Sequence, residues 1–148
     1  MKKVMITGTD GQLGFELKRT VPADVIVLAL ARADLDITSR DSVFACIEKE
    51  KPAVIINCAA YTAVDKAESE TEKAYAVNQT GPRHLAEAAR QHNALLAHIS
   101  TDFVFDGTQG RPYGIEDRPN PLSVYGKSKL AGENEVLNSG AEALVVRT

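Results

Sequence analysis

The stretch from Lys3 to Gly14, KVMITGTDGQLG, constrains the fold more than any other part of the sequence. Lys3 to Thr7 is a short, β-prone apolar run that stops at a glycine. A helical pattern through Phe15, Leu17, Lys18 and Val21 follows the last of three glycines, Gly8, Gly11 and Gly14. A strand, a glycine-rich turn and a helix in that order suit a dinucleotide pyrophosphate. The glycines let the backbone turn tightly and approach the phosphates, and the helix start offers free N–H groups at the positive end of its dipole. The spacing is Gly-x-x-Gly-x-x-Gly, one residue longer in its first step than the usual Gly-x-Gly-x-x-Gly fingerprint.

The rest of the chain repeats the alternation. Val25 to Leu30 (VIVLAL), Ala53 to Ala59 (AVIINCA), Leu95 to Thr101 (LLAHIST) and Ala143 to Arg147 (ALVVR) are further apolar runs. Such runs, without polar alternation, predict strands of a parallel sheet buried on both faces. Between them lie helical patterns over 38–50, with Ser39 as N-cap and Pro52 just past the end, over 78–92, with Pro82 in the first turn, and over 124–138. The expected fold is α/β: a doubly wound parallel sheet of Rossmann type in three α/β/α layers, one domain over residues 1–148. The charged stretch 65–73 reads as a solvated helix face, and 106–121, rich in Gly and Pro, as a long loop of the kind that often serves as a substrate lid.

Composition narrows the function classes. A net charge of −3 gives no basic footprint for nucleic acid. The longest apolar run, Val25 to Ala31, is too short to span a bilayer. No signal peptide is seen at the start. Cys46 and Cys58 stand alone and read as reduced core thiols of a cytoplasmic protein, and His84, His92 and His98 are scattered without metal-ligand spacing, so no metal site is expected. His98 reads as a packed strand residue.

The second chemical signal is Tyr125-Gly126-Lys127-Ser128-Lys129. On a helix, Tyr125 and Lys129 lie one turn apart on one face. A fixed ammonium beside a phenol favours the phenolate, which is expected to lower the Tyr125 pKa and make it a proton donor to a developing alkoxide. Thr101, at the end of the fourth strand, puts a hydroxyl at the same sheet edge, where it can hydrogen-bond a substrate carbonyl. Ala59 and Ala60 are small enough to let a cofactor pass closely. At the end of the second strand stands Arg32. It either accepts a 2′-phosphate, which favours NADP, or is a solvated loop residue, and cofactor preference stays open.

Together these features resemble the short-chain dehydrogenase/reductase superfamily, in its extended, nucleotide-sugar-modifying branch. Three stretches sharpen the resemblance: Asn57 to Glu68 (NCAAYTAVDKAE), Ser100 to Gly107 (STDFVFDG) and Pro121 to Glu133 (PLSVYGKSKLAGE) look like those of the dTDP-4-dehydrorhamnose reductase family. The resemblance implies reduction of the 4-keto group of dTDP-4-dehydro-6-deoxy-L-mannose to dTDP-L-rhamnose with NADPH or NADH. It gives Tyr125 as proton donor, Lys129 as its partner and ribose ligand, and Thr101 as the group that orients the carbonyl. Gly8, Gly11, Gln12, Leu13 and Gly14 would hold the pyrophosphate, and Asp36 and Ile37 the adenosine end. Ala59, Ala60 and Tyr61 would line the cofactor channel, while Thr62, Val64 and Asp102 would face the sugar. Family members continue into a smaller C-terminal substrate lobe, so this chain is expected to be the N-terminal part of a longer protein. A homodimer and a Mg²⁺ site are expectations for the full-length protein only. Two other readings share the pattern: a sugar-nucleotide epimerase or dehydratase of the same superfamily, and a non-catalytic, NADP-binding regulatory subunit.

Overall fold

Apolar runs that cannot face water on either side pair edge to edge, and here all five do so in parallel. A computed structural model describes residues 1–148. The strands are β1 (Lys2–Thr7), β2 (Val25–Leu30), β3 (Val54–Asn57), β4 (Leu95–Ser100) and β5 (Ala143–Arg147), in the spatial order β2-β1-β3-β4-β5. The helices are α1 (Gln12–Arg19), α2 (Arg40–Glu50), α3 (Val64–Ala67), α4 (Thr71–Tyr75), α5 (Gly81–His92) and α6 (Val124–Leu137). Right-handed crossovers put α1 on one face of the sheet and α2, α5 and α6 side by side on the other. This is the expected doubly wound, Rossmann-type α/β fold.

Register decides what fills the space under α2, α5 and α6. Met5, Ile55 and Leu96 are neighbours across β1, β3 and β4 and form a fully buried row. Val43 and Ile47 of α2, Leu85, Ala88 and Ala89 of α5 and Val136 of α6 close over it. One step along the strands the row turns polar, with Thr7, Asn57 and His98 side by side. Both edge strands depart from the expected full burial. β2 has only β1 as a neighbour, and Ile26 is 45% exposed.

The helix expected over 78–92 starts earlier and is not uniform. It runs as α4, a π turn over Ala76–Thr80, then α5 with Pro82 in its first turn. The widened turn lets the Asn78 side chain reach Tyr61 and Ser128 instead of solvent. The stretch 65–73 is likewise less solvated than its charges suggest, because Ala67 is fully buried on α3. Residues 106–121 hold no helix or strand, as expected, but they are well tied. Asp106 accepts from the N–H and hydroxyl of Thr108, the Tyr113 hydroxyl and the Asn120 amide. Phe105 stacks on Tyr113 at 4.2 Å.

The contact between α6 and the π turn admits no side chain. A Cβ on Gly132 would come within 2.0 Å of the Asn78 carbonyl oxygen. Gly132→Ala is expected to cost about 3 kcal/mol, since neither helix can retreat from a packed neighbour. Gly110→Ala, in open space, is expected to stay within about 0.5 kcal/mol of the parent. Urea titration of the two variants checks the contrast.

Candidate active site

The chain leaves β1 towards β2 and then recrosses to β3, so the connections part at the carboxyl ends of β1 and β3, where open α/β sheets take their ligands. A cleft of about 560 Å³ opens there. Its floor is backbone against backbone. Gly8 has φ +69°, and a Cβ on it would lie 2.5 Å from the Ala59 nitrogen. A Cβ on Gly14 would lie 2.5 Å from the Gly8 carbonyl oxygen. No side chain caps the start of α1, so its first N–H groups are free for an anion. These are the properties that a pyrophosphate requires, and the turn fits a dinucleotide.

Every residue expected at the cofactor lines this one cleft. Arg32, Asp36 and Ile37 stand at one end. Gly8, Gly11, Gln12, Leu13 and Gly14 form the turn, Ala59, Ala60 and Tyr61 the middle wall, and Tyr125 and Lys129 the far end. At the first end, the Asp36 carboxylate accepts both the N–H and the hydroxyl of Thr38, which hold it below the usual carboxylate range, with Arg32 adding to the effect. Thr38, Cys58 and Thr148 also line the cleft, beyond the residues expected there. Thr38 had a signal, since Asp-x-Thr is the sequence of a side-chain-closed turn. Cys58 is pushed up to about 11 by burial, against the pull of Lys129.

At the far end, α6 presents Tyr125 and Lys129 one turn apart, as the spacing predicts. Its start is doubly capped. Ser123 Oγ accepts from the Gly126 N–H, and the Glu68 carboxylate accepts from the Val124 N–H at 2.8 Å. The phenol of Tyr125 is buried, with Phe103 edge-on at 5.6 Å. Here the expected charge effect is corrected. The Tyr125 pKa is raised, not lowered. Burial is the main cause, the Thr101 hydroxyl opposes it and Asp102 adds to it. Lys129 does not offset this because its ammonium is turned to the Ile99 carbonyl oxygen, at 2.7 Å. Burial brings Lys129 itself down to about 8, against the nearby Glu133 carboxylate.

The residues expected to face the sugar are less closely grouped. Thr62 lines the cleft. Val64 opens α3 and packs against the cluster that contains Tyr125. Thr101 caps the short 3₁₀ turn Asp102–Val104, accepting from the Phe103 N–H and donating to Asp102 Oδ1. Asp102 borders a second, open hollow of about 350 Å³ walled by Phe103, Phe105, Tyr113 and Leu122.

A family model described as the RmlD substrate binding domain matches residues 1–148. The chain belongs to that family. It is 47% identical over 150 residues to a dTDP-4-dehydrorhamnose reductase of Aggregatibacter actinomycetemcomitans, a match covering all of this chain and 51% of that one. Among solved structures it superposes on a dTDP-4-dehydrorhamnose reductase from Clostridium acetobutylicum with a TM-score of 0.95 at 45% identity, covering 98% of this chain and 52% of the other. A dTDP-4-dehydrorhamnose reductase from Bacillus anthracis in complex with NADP gives a TM-score of 0.93 at 39% identity, covering 99% and 53%. The chain thus spans about half the length of the relatives it matches.

Behind the cleft, this RmlD-family chain holds its site residues with buried polar groups that the sequence did not announce. Asn78 accepts from the Tyr61 N–H, donates to the Tyr61 carbonyl oxygen and donates to Ser128 Oγ, which itself donates to the Tyr125 carbonyl oxygen. The middle wall and the tyrosine helix are therefore one hydrogen-bonded unit. Glu133, 1% exposed, takes a two-point contact from Arg147 at 2.6 and 2.9 Å and a third bond from Ser100. Asn57 Oδ1 accepts from the Thr7 hydroxyl at 2.7 Å and from the Ala59 N–H at 3.2 Å, which turns its amide nitrogen to His98 Nδ1 at 3.0 Å. His98 Nδ1 is therefore the acceptor, and the ring proton sits on Nε2, which has no partner.

That arrangement makes stability depend on pH. Burial first, then the charge of Lys129, depress His98 from 6.5 to about 3. Between those values the unfolded chain binds the proton and the folded chain does not, so stability falls as pH falls through the window. The expected slope from this group is about 1.4 kcal/mol per pH unit. Urea unfolding at about pH 7 and pH 5, where the depressed carboxylates are ionised in both states, measures it. His98→Gln, neutral throughout, is expected to flatten the slope.

Proposed function

We propose that this chain is the cofactor-binding and proton-donating half of a reductase that converts the 4-keto group of dTDP-4-dehydro-6-deoxy-L-mannose to the hydroxyl of dTDP-L-rhamnose. The observation that carries the proposal is that one cleft joins a glycine turn fit for a pyrophosphate to Tyr125 and Lys129. The names of the relatives and the NADP complex of the Bacillus anthracis protein support it.

The cofactor is NADPH or NADH, and when bound it supplies the hydride. Gly8, Gly11, Gln12, Leu13 and Gly14 would hold its pyrophosphate. Asp36 and Ile37 would take the adenosine end, with Arg32 placed for a 2′-phosphate. Ala59, Ala60 and Tyr61 would line its path. Tyr125 gives its proton to the carbonyl oxygen of the sugar as charge develops there. A raised pKa suits that role, since the phenol stays protonated at neutral pH. Lys129 limits the cost of the phenolate left behind. Thr101 orients the carbonyl, and Thr62, Val64 and Asp102 face the sugar ring. In this reading, the half of the relatives' length beyond this chain completes the nucleotide-sugar pocket.

Two measurements test the proposal. Calorimetric titration of the chain with NADPH and NADH is expected to show binding of one or both, and the ratio reports on Arg32. In a chain of the relatives' full length, Tyr125→Phe is expected to lower ketosugar reduction by roughly a thousandfold while NADPH affinity holds. Equal loss of binding and turnover in that variant, or no binding by the folded parent chain, would sink the assignment.

A further inference from the structure

Ile37 lies on the segment between β2 and α2, which pairs with no strand. The segment closes on itself through Asp36, which accepts from Thr38, and through the Ser39 N–H, which donates to the Asp36 carbonyl oxygen. These local turns shape it but do not fix it to the body of the protein. Leu35 and Ile37 do so through the core they share with α2 and α5, and two contacts tie the Ile37 end directly to α5. Gly81 leaves room for the Ile37 side chain, since a Cβ there would lie 2.5 Å from Ile37 Cδ1. The Ile37 carbonyl oxygen accepts from His84 Nδ1 at 3.1 Å, and it has no other hydrogen-bond partner. A carbonyl only accepts, so the His84 proton must sit on Nδ1. His84 and Ile37 are both buried, yet only Ile37 reaches the cleft, with Arg32, Asp36 and Thr38 around it.

We infer that His84 is a positioning residue for the adenosine end of the cofactor: it touches no ligand but holds the wall on which the adenosine half rests. The inference rests on the dinucleotide reading of the cleft proposed above. Without the bond, the Ile37 carbonyl is left buried without a partner and the segment loses its only polar anchor to α5. Ile37 and the side chains beside it are then held by apolar packing alone, which fixes them less closely relative to the glycine turn, anchored separately at Gly8 and Ala59.

The test is calorimetric titration of the chain and two variants with NADPH and with 2′,5′-ADP, which fills the adenosine end alone. His84→Ala is expected to weaken both ligands by about tenfold, the loss of one buried hydrogen bond. His84→Asn places an amide N–H where Nδ1 stood and is expected to restore both affinities to within about twofold of the parent. Both variants thin the packing behind α5 and lower the thermal midpoint, so an effect of packing alone would weaken binding in both. Parent-like affinity in His84→Ala, or failure of His84→Asn to restore it, would overturn the inference while leaving the cofactor site standing. Failure of the folded parent chain to bind NADPH, NADH and 2′,5′-ADP alike would overturn the cofactor reading, and this inference with it.

Discussion

The close approach of Gly8 to Ala59 is the constraint from which the rest follows. β1 and β3 are neighbours whose continuations part in opposite directions, and the turn after β1 can pass over the end of β3 only as bare backbone. Asn57 holds this crossing from beneath. Its amide oxygen receives Thr7 from one strand and the Ala59 N–H from the exit of its own. The position of the glycine turn is therefore set by the sheet itself. The cleft inherits the rigidity of its most buried rows, which suits a site that must present N–H groups at fixed positions.

α6 is anchored to the same sheet by different means. It buries Ser128, Lys129 and Glu133 on one side, a costly choice unless each is bonded. Each one is: Ser128 to Asn78 and the Tyr125 carbonyl, Lys129 to the Ile99 carbonyl, and Glu133 to Arg147 and Ser100. An apolar face of similar size could pack as tightly while leaving the helix freer to rotate or slide. Directional bonds to β4, β5 and the π turn remove those freedoms, and so fix where Tyr125 points. The double cap by Ser123 and Glu68 does the same at the helix start.

What could be read in the sequence had local causes. The strand, glycine turn and helix at the start, the Ser39 cap of α2 and the one-turn spacing of Tyr125 and Lys129 depend on residues a few positions apart. The features that escaped depend on partners far along the chain. Asn78 looks like any polar helix residue until Tyr61 and Ser128 stand beside it, and Glu133 looks like solvent-facing charge until Arg147 arrives. His84 looks scattered in the sequence because its partner is a backbone oxygen, which leaves no trace in residue type. The π turn is hidden for the same reason, since the Asn78 contacts that accompany it reach partners far along the chain. The incomplete burial of β2 and β5 reflects their places at the two edges, which apolar composition does not encode.

Spacing on a helix fixes the relative position of two Cβ atoms, but not the direction of two long side chains. Lys129 finds a carbonyl oxygen nearer than the phenol, and burial then acts on both groups in the direction that removes charge. The resting state is thus a neutral phenol beside a cation whose hold on its proton is weakened. For the proton donor proposed for Tyr125, this order is favourable, because an acid already ionised at rest has nothing to give. Under that proposal, the help that Lys129 offers is a property of the phenolate as it forms. Its charge counts most once a negative charge exists nearby in the same low-dielectric surroundings. On this view, the pair is built around the difference between two states, and a lowered tyrosine pKa in the resting protein is neither needed nor useful.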